Sequence, residues 1–138
     1  GFPMSVGAAI ASQRKTLDIH RDGGFMFHAT ELATCAQYQV PLIICVFNDS
    51  GYGVLRWLQQ NQFRRINETD LGKVAFAQMA QSMGVPGQRV GSVDQFAAAM
   101  DTAMVADGPY LIDIDMEHFA PMEISVMPKR TLEVDLKD

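Results

Sequence analysis

Apolar and polar positions follow two patterns along the chain, one typical of helices and one typical of buried strands. Apolar residues at helical spacing predict helices at about residues 1–12, 29–39, 52–63, 71–83 and 94–106. Short apolar runs between them predict strands at residues 16–20, 42–47, 88–90 and 110–115. The regular alternation of helix and strand predicts an α/β fold, a doubly wound parallel sheet with helices on both faces.

Two glycine-containing polar turns stand directly after two of the predicted strands. Asp22-Gly23-Gly24 follows the strand at 16–20, and Asn48-Asp49-Ser50-Gly51-Tyr52-Gly53 follows the strand at 42–47. Because ligands of open parallel sheets bind outside the carboxyl ends of the strands, we expect both turns to face one crevice. Two carboxylates beside turns that expose backbone N–H groups can hold a divalent cation and a diphosphate together.

This spacing resembles the diphosphate-binding motif of thiamine diphosphate-dependent enzymes, which is Gly-Asp-Gly followed, one helix and one strand later, by Asn-Asn. The segments 22–34 and 48–56 look like the branch of acetolactate synthases and 2-oxo acid decarboxylases, and a looser likeness extends over residues 1–116. Two positions depart from the pattern. Arg21 stands where the family usually has its first glycine, and Asp49 stands where it usually has its second asparagine.

The resemblance implies a thiamine diphosphate-binding fold, with thiamine diphosphate and Mg²⁺ as cofactors. The implied metal ligands are the side chains of Asp22 and Asp49 and the carbonyl of Gly51. The implied cofactor-binding residues are Asp22, Gly23, Gly24, Asp49, Gly51, Tyr52 and Gly53. No side chain of this chain is expected to be catalytic, because the cofactor carries the covalent chemistry.

Arg21 has two expected effects. If the usual glycine needs a positive φ, Arg21 would cost about 1 kcal/mol or more. Alternatively, its guanidinium group could pair with the diphosphate.

As an activity, the resemblance implies C–C bond cleavage or formation on small 2-oxo acids by a lyase or transferase similar to acetolactate synthase. The active site would be completed by a pyrimidine-binding domain, in the same longer chain or in a partner subunit of a homodimer or other homo-oligomer. The 138 residues are therefore expected to be one domain and a fragment, inactive alone, with a weakly patterned extension at 117–138. An exposed apolar contact face is also expected. Its candidate residues, for each of which core packing is the alternative, are Phe2, Met4, Phe25, Met26 and Trp57.

Composition limits the remaining possibilities. A net charge of −5 with scattered basic residues argues against nucleic-acid binding. The sequence has no apolar stretch of the length of a membrane span and no visible signal peptide, so we expect a cytoplasmic protein. Cys35 and Cys45 occupy apolar positions and are expected to be reduced, buried packing residues.

Two other interpretations of the sequence remain open. A non-catalytic α/β binding or regulatory module could keep the fold without the cofactor, and Arg21 and Asp49 are the residues that favour it. A receiver-like or flavodoxin-like domain shares the general architecture. Its acidic pair and phospho-acceptor aspartate cannot be placed without discarding the turn at Asp49. Metal-dependent binding of thiamine diphosphate separates the leading reading from both.

Overall fold

A computed structural model describes residues 1–118. All but the first two residues of the predicted extension at 117–138 lie outside this described part. The helices are α1 (Phe2–Ser12), α2 (Asp22–Met26), α3 (Glu31–Tyr38), α4 (Gly53–Phe63), α5 (Phe76–Ser82) and α6 (Val93–Val105), and a 3-10 turn follows at Met116–His118. The strands are β1 (Thr16–Arg21), β2 (Leu42–Asn48), β3 (Gly87–Val90) and β4 (Tyr110–Asp115).

The four strands form one parallel sheet in the order β1-β2-β4-β3. Arg21 is aligned with Phe47 at the end of β1, and Asn48 is aligned with Asp115 at the end of β2. The carboxyl ends of β1, β2 and β4 therefore lie at the same edge of the sheet. The structure confirms the predicted α/β fold and places both polar turns at this edge.

Apolar side chains fill both faces of the sheet. Helices α1, α2, α3 and α5 pack on one face, against alternate residues of β2 such as Ile44, while α6 packs on the other face through Ala99 and Ala103. Helices on both faces were predicted, and this is confirmed. Cys35 and Cys45 are buried on opposite faces, with free thiols, as expected of packing residues.

The helix predicted at 71–83 is shorter than expected. Helix α5 begins only at Phe76, whose N–H donates to the carboxylate of Asp113 on β4 at 3.1 Å. The sequence favours Thr69 or Asp70 as the cap of this helix, and that is wrong because both lie several residues before its start. Residues 71–75 instead lie against the turn after β2, where the Leu71 N–H donates to the Ser50 carbonyl at 2.9 Å and the Val74 carbonyl accepts from the Asn48 side chain at 3.0 Å.

Helix α4 differs from the other helices because, within the described residues, none of its side chains is buried. Trp57 is half-buried, and Leu58 is exposed. Of the candidates for the contact face, Met4 and Met26 are exposed. Phe2 and Phe25 are instead fully buried and pack against each other with tilted rings, so they are core residues, the alternative for each candidate.

In residues 1–118, no helix is both long enough and apolar enough to cross a membrane.

Candidate functional site

Asp22 joins the two glycine-containing turns. It is the first residue of the five-residue helix α2, whereas the sequence predicts a turn there, and its side chain is buried. Its Oδ1 accepts the N–H of Gly23 at 2.8 Å, and its Oδ2 accepts the N–H of Gly51 at 3.0 Å. The carboxylate thus fixes the end of β1 to the turn that follows β2, and each oxygen retains a further lone pair.

Asp49 presents one engaged and one unengaged carboxylate oxygen. Its Oδ2 lies 3.0 Å from Nη1 of Arg21. Its Oδ1 is buried and has no hydrogen-bond partner among the described residues. Burial raises the pKa of Asp49, and the nearby charge of Asp22 raises it further, while Arg21 and Arg56 oppose both effects. The carboxylates of Asp22 and Asp49 repel each other, and one oxygen of Asp49 has no hydrogen-bond partner within residues 1–118. Such a region is suited to a cation.

Arg21 adopts an ordinary extended backbone, with φ −91° and ψ 156°. The conditional cost of a positive φ at this position therefore does not arise. The left-handed residue lies elsewhere, at Ser50, with φ 52°. The Ser50 carbonyl accepts from Nη2 of Arg56 at 3.3 Å and from the N–H of Leu71, so two neighbouring segments hold this turn in place.

The glycines at the site have different neighbours. A Cβ on Gly23 would lie 2.5 Å from the ring of Tyr52, and a Cβ on Gly53 would collide with the carboxylate of Asp49. A Cβ on Gly51 would collide with the guanidinium group of Arg56. Gly24 has open space in place of a side chain. Gly23, Gly51 and Gly53 therefore allow close packing of the site itself, while Gly24 leaves room at its surface.

Two clefts open on either side of Gly23 and Tyr52, which contribute to both. One has a volume of about 170 Å³, and its walls are formed by Arg21, Gly23, Gly24 and residues 51–55. The other has a volume of about 300 Å³, and its walls are formed by Asp22, Gly23, Met26, Tyr52, residues 71–74 and Phe76. The first cleft contains all the glycines expected at a diphosphate.

Helix α4 begins at this first cleft. Its first residue is Gly53, against which the Asp49 carboxylate packs, and Tyr52 provides no side-chain cap. The first amide groups of a helix have no intrahelical acceptor, and the helix dipole places partial positive charge there. An anion in the cleft would thus meet backbone donors at a helix start, as diphosphates commonly do.

Two residues that the sequence did not single out, Arg56 and Asp113, help to build the site. Arg56 donates from Nε to Asp70 at 2.9 Å as well as to Ser50, and so it holds the loop before α5 against the turn. Asp113, fully buried, accepts from the Asn48 side chain at 3.1 Å. An aspartate with apolar residues on both sides, Asp113, was the available signal for a buried acceptor; Arg56 had no such signal.

The donor set fits a hard divalent cation held jointly with a phosphate ligand. Asp22 and Asp49 supply carboxylate oxygens, and one of these oxygens is buried without a partner among the described residues. No group of three or more His, Cys, Asp or Glu side chains comes together in residues 1–118. A cation here would therefore need backbone and ligand oxygens to complete its shell, which is the usual situation for Mg²⁺ at a phosphate site.

Comparison with known proteins gives a consistent result. The sequence model of the family described as "Thiamine pyrophosphate enzyme, C-terminal TPP binding domain" matches residues 1–114. The chain is 33% identical to the acetolactate synthase of Bacillus subtilis (strain 168) over 118 residues, which are 85% of this chain and 21% of that protein. It is 37% identical over 120 residues to the acetolactate synthase isozyme 2 large subunit of Escherichia coli (strain K12), covering 85% of this chain and 22% of that protein.

Among solved structures, the chain is similar to the thiamine diphosphate-dependent 4-hydroxybenzoylformate decarboxylase of Rhodococcus jostii RHA1. The TM-score is 0.79 and the sequence identity is 32%, with 83% of this chain and 22% of that chain covered. The chain thus spans about a fifth of the length of the relatives that it matches.

Proposed function

Because the chain belongs to the thiamine pyrophosphate enzymes, as their C-terminal cofactor-binding domain, we propose that Asp22 and Asp49 hold a Mg²⁺ ion at the diphosphate of bound thiamine diphosphate. The observation that carries this proposal is the buried, unengaged Oδ1 of Asp49 beside the carboxylate of Asp22. The Gly51 carbonyl would be the third protein ligand.

The diphosphate would be held by backbone rather than by side chains. The first turn of α4 offers amide groups beside Gly53, and Gly24 leaves open space at the wall of the same cleft. Tyr52 packs over Gly23 and separates this cleft from the larger one. These residues bind and orient the cofactor, whose thiazolium ring supplies the carbon nucleophile for the chemistry.

For the whole enzyme we propose C–C bond cleavage or formation on a small 2-oxo acid. This rests on the names of the relatives, which are acetolactate synthases and a 4-hydroxybenzoylformate decarboxylase. The site described above supplies metal and diphosphate binding, so it does not distinguish decarboxylation from carboligation. The pyrimidine end of the cofactor would require a second domain, and we expect the present residues to be inactive without it.

A contact surface for that second domain lies next to the cleft. Exposed large apolar side chains occur on α2 and α4, the two helices that begin at the site. We call this surface the α2–α4 face; its members are Met26, Val54, Leu55, Leu58 and Phe63, which are between 39% and 61% exposed. Val54 and Leu55 also form part of the cleft wall, so a domain packed there would close it. The partner would be a pyrimidine-binding domain, in the same protein or in a second subunit of a homo-oligomer.

Calorimetric titration with thiamine diphosphate, with and without Mg²⁺, tests the proposed site. The protein is used in its longest natural form that contains these residues. Wild type is expected to bind saturably and only with the metal, and Asp22→Asn is expected to lose binding at least 100-fold. Asp101→Asn, on an exposed part of α6, is the matched control and should bind as wild type does. A folded wild-type protein that does not bind the cofactor would reject this function in favour of a non-catalytic module.

A further inference from the structure

Arg21 lies in the wall of the first cleft, and its ion pair within residues 1–118 is with Asp49. Its Nη1 lies 3.0 Å from Oδ2 of Asp49, and the two residues lie just at the ends of the adjacent parallel strands β1 and β2. The Arg21 side chain is 41% exposed and the Asp49 side chain is 21% exposed, so the pair lies at the surface of the site rather than in the core. Both residues occur where the chain departs from the family's usual motif.

The pair leaves one face of the Asp49 carboxylate for another ligand. Oδ2 is taken by the guanidinium group, whereas Oδ1 is buried and lacks a partner among the described residues. A carboxylate held in this way offers one accepting oxygen and, together with its counter-ion, no net charge. In these two respects it resembles an amide side chain.

Arg56, and the two cations that line a cleft with Asp49, Lys73 and Arg89, have carboxylate partners of their own. Arg56 is held by Asp70 and by the carbonyl of Ser50, on the far side of Gly51. If Arg21 were removed, Asp22 and Asp49 would confront an incoming diphosphate with two carboxylates that retain less compensation. Like charges in a partly desolvated cleft oppose the binding of an anion.

We propose that Arg21 is a positioning residue that acts through Asp49: it cancels the charge of that carboxylate and holds it so that Oδ1 is available to the metal. This rests on the function proposed above. It differs from a direct role of Arg21 at the diphosphate in one respect that can be measured. A residue that acts only through Asp49 loses its effect when Asp49 is already neutral, while a direct ligand keeps its effect.

A double-mutant cycle measures this difference. The variants are Arg21→Gln, Asp49→Asn and the double variant, and the readout is the affinity for thiamine diphosphate at saturating Mg²⁺ by calorimetry. Arg21→Gln alone is expected to weaken binding about fivefold, the upper end of the contribution of one exposed ion pair. In the Asp49→Asn background, the same substitution should change the affinity less than twofold. Arg21→Lys, which keeps the charge, should recover most of the loss.

Two controls separate this effect from loss of structure and from the loss of one positive charge anywhere on the protein. Arg65→Gly, at an exposed position after α4, should bind as wild type does. The unfolding midpoint of each variant reports whether the fold is intact. If the loss of affinity came from loss of structure, the midpoint would fall in parallel with the affinity. An equal loss in both Asp49 backgrounds would overturn the proposal in favour of direct contact. A wild-type protein that fails to bind would reject the proposed function first.

Discussion

The side-chain amide of Asn48 donates a hydrogen bond to the buried carboxylate of Asp113 at 3.1 Å, and so ties the last residue of β2 to the neighbouring strand β4. The other oxygen of Asp113 accepts the N–H of Phe76 at the start of α5. One buried carboxylate therefore fixes both the strand end that carries Asp49 and the helix that supports the core beside the larger cleft. The position of the site depends on a residue that does not line it.

Asp113→Ala should destabilise the protein strongly. It leaves the Phe76 N–H and part of the Asn48 amide unpaired inside the protein, and each unsatisfied buried donor costs about 1–3 kcal/mol. Urea denaturation should show a loss of about 2–4 kcal/mol in the free energy of unfolding. Asp101→Ala, at an exposed position on α6, should stay within about 0.5 kcal/mol of wild type. Equal losses in the two variants would contradict the role of Asp113.

Gly23 and Gly24 should respond oppositely to the same substitution. A methyl group on Gly23 would lie 2.5 Å from the Tyr52 ring, so Gly23→Ala should destabilise the protein by about 1–3 kcal/mol through overpacking. Gly24 lies in α2 with nothing within 4 Å of a Cβ, so Gly24→Ala should raise stability by about 0.5–1 kcal/mol. Thermal unfolding of both variants checks this.

The same pair of variants separates stability from function. We expect Gly24→Ala to weaken thiamine diphosphate binding although it stabilises the fold, because the added methyl group projects at the wall of the proposed diphosphate cleft. A stabilised variant with unchanged cofactor affinity would show that Gly24 does not approach the ligand.

The buried thiols should make the protein less stable at high pH. Burial raises the pKa of Cys35 to about 12, with further contributions from Glu31 and Asp18, and burial raises the pKa of Cys45 to about 11, both from 9.0. In the unfolded chain these thiols lose their protons near pH 9, while the folded protein keeps them. Stability is therefore retained below pH 9 and falls as pH rises toward the folded values, by about 1.4 kcal/mol per pH unit for each thiol.

Urea denaturation at pH 8 and pH 10 measures this dependence. The wild-type protein should lose about 3 kcal/mol more between the two pH values than a variant with Cys35→Ala and Cys45→Ala. Other groups titrate equally in both proteins, so the difference isolates the thiols. A pH dependence that is the same in both would contradict the raised pKa values.

The α2–α4 face should control association. Leu55 and Val105 are both exposed apolar residues on helices, but only Leu55 lies at the cleft. Leu55→Glu should weaken self-association or partner binding at least tenfold, because it places a charge in an apolar contact. Val105→Glu should leave association unchanged. Sedimentation velocity over a concentration series provides the comparison, and a wild-type protein that stays monomeric without a partner would count against the surface.

Much of the fold could be predicted because each strand is marked by its own short run of apolar residues. The strand at 42–47 is apolar on both faces, and the strand at 110–115 matches β4 residue for residue. The convergence of Asp22 with the turn at Gly51 followed from a general property of parallel sheets, that their carboxyl ends share one edge. These inferences needed only short stretches of sequence and the rule for ligand position.

What the sequence did not reveal depends on contacts between distant segments. Helix α5 starts at Phe76 because Asp113, 37 positions later, accepts its N–H, and no local pattern records that cap. The apolar residues at 71 and 74 continue the helical spacing although they belong to a loop held by Ser50 and Asn48. The ion pair between Arg21 and Asp49 is likewise a tertiary contact. The chemistry of the two side chains allows it but does not predict it.

Within residues 1–118, helix α4 forms one wall of the cleft without contributing a buried side chain to the core. Its side-chain hydrogen bonds to other segments come from Arg56 and Gln59, so few contacts oppose its local opening. Segments of this kind open at free energies well below that of global unfolding. The amide protons of α4 should exchange with solvent much faster than those of the buried strand β2. A ligand that binds across the cleft adds its binding free energy to the closed state of α4. Protection of these amides against exchange would then report occupancy of the site directly, before any turnover is measured.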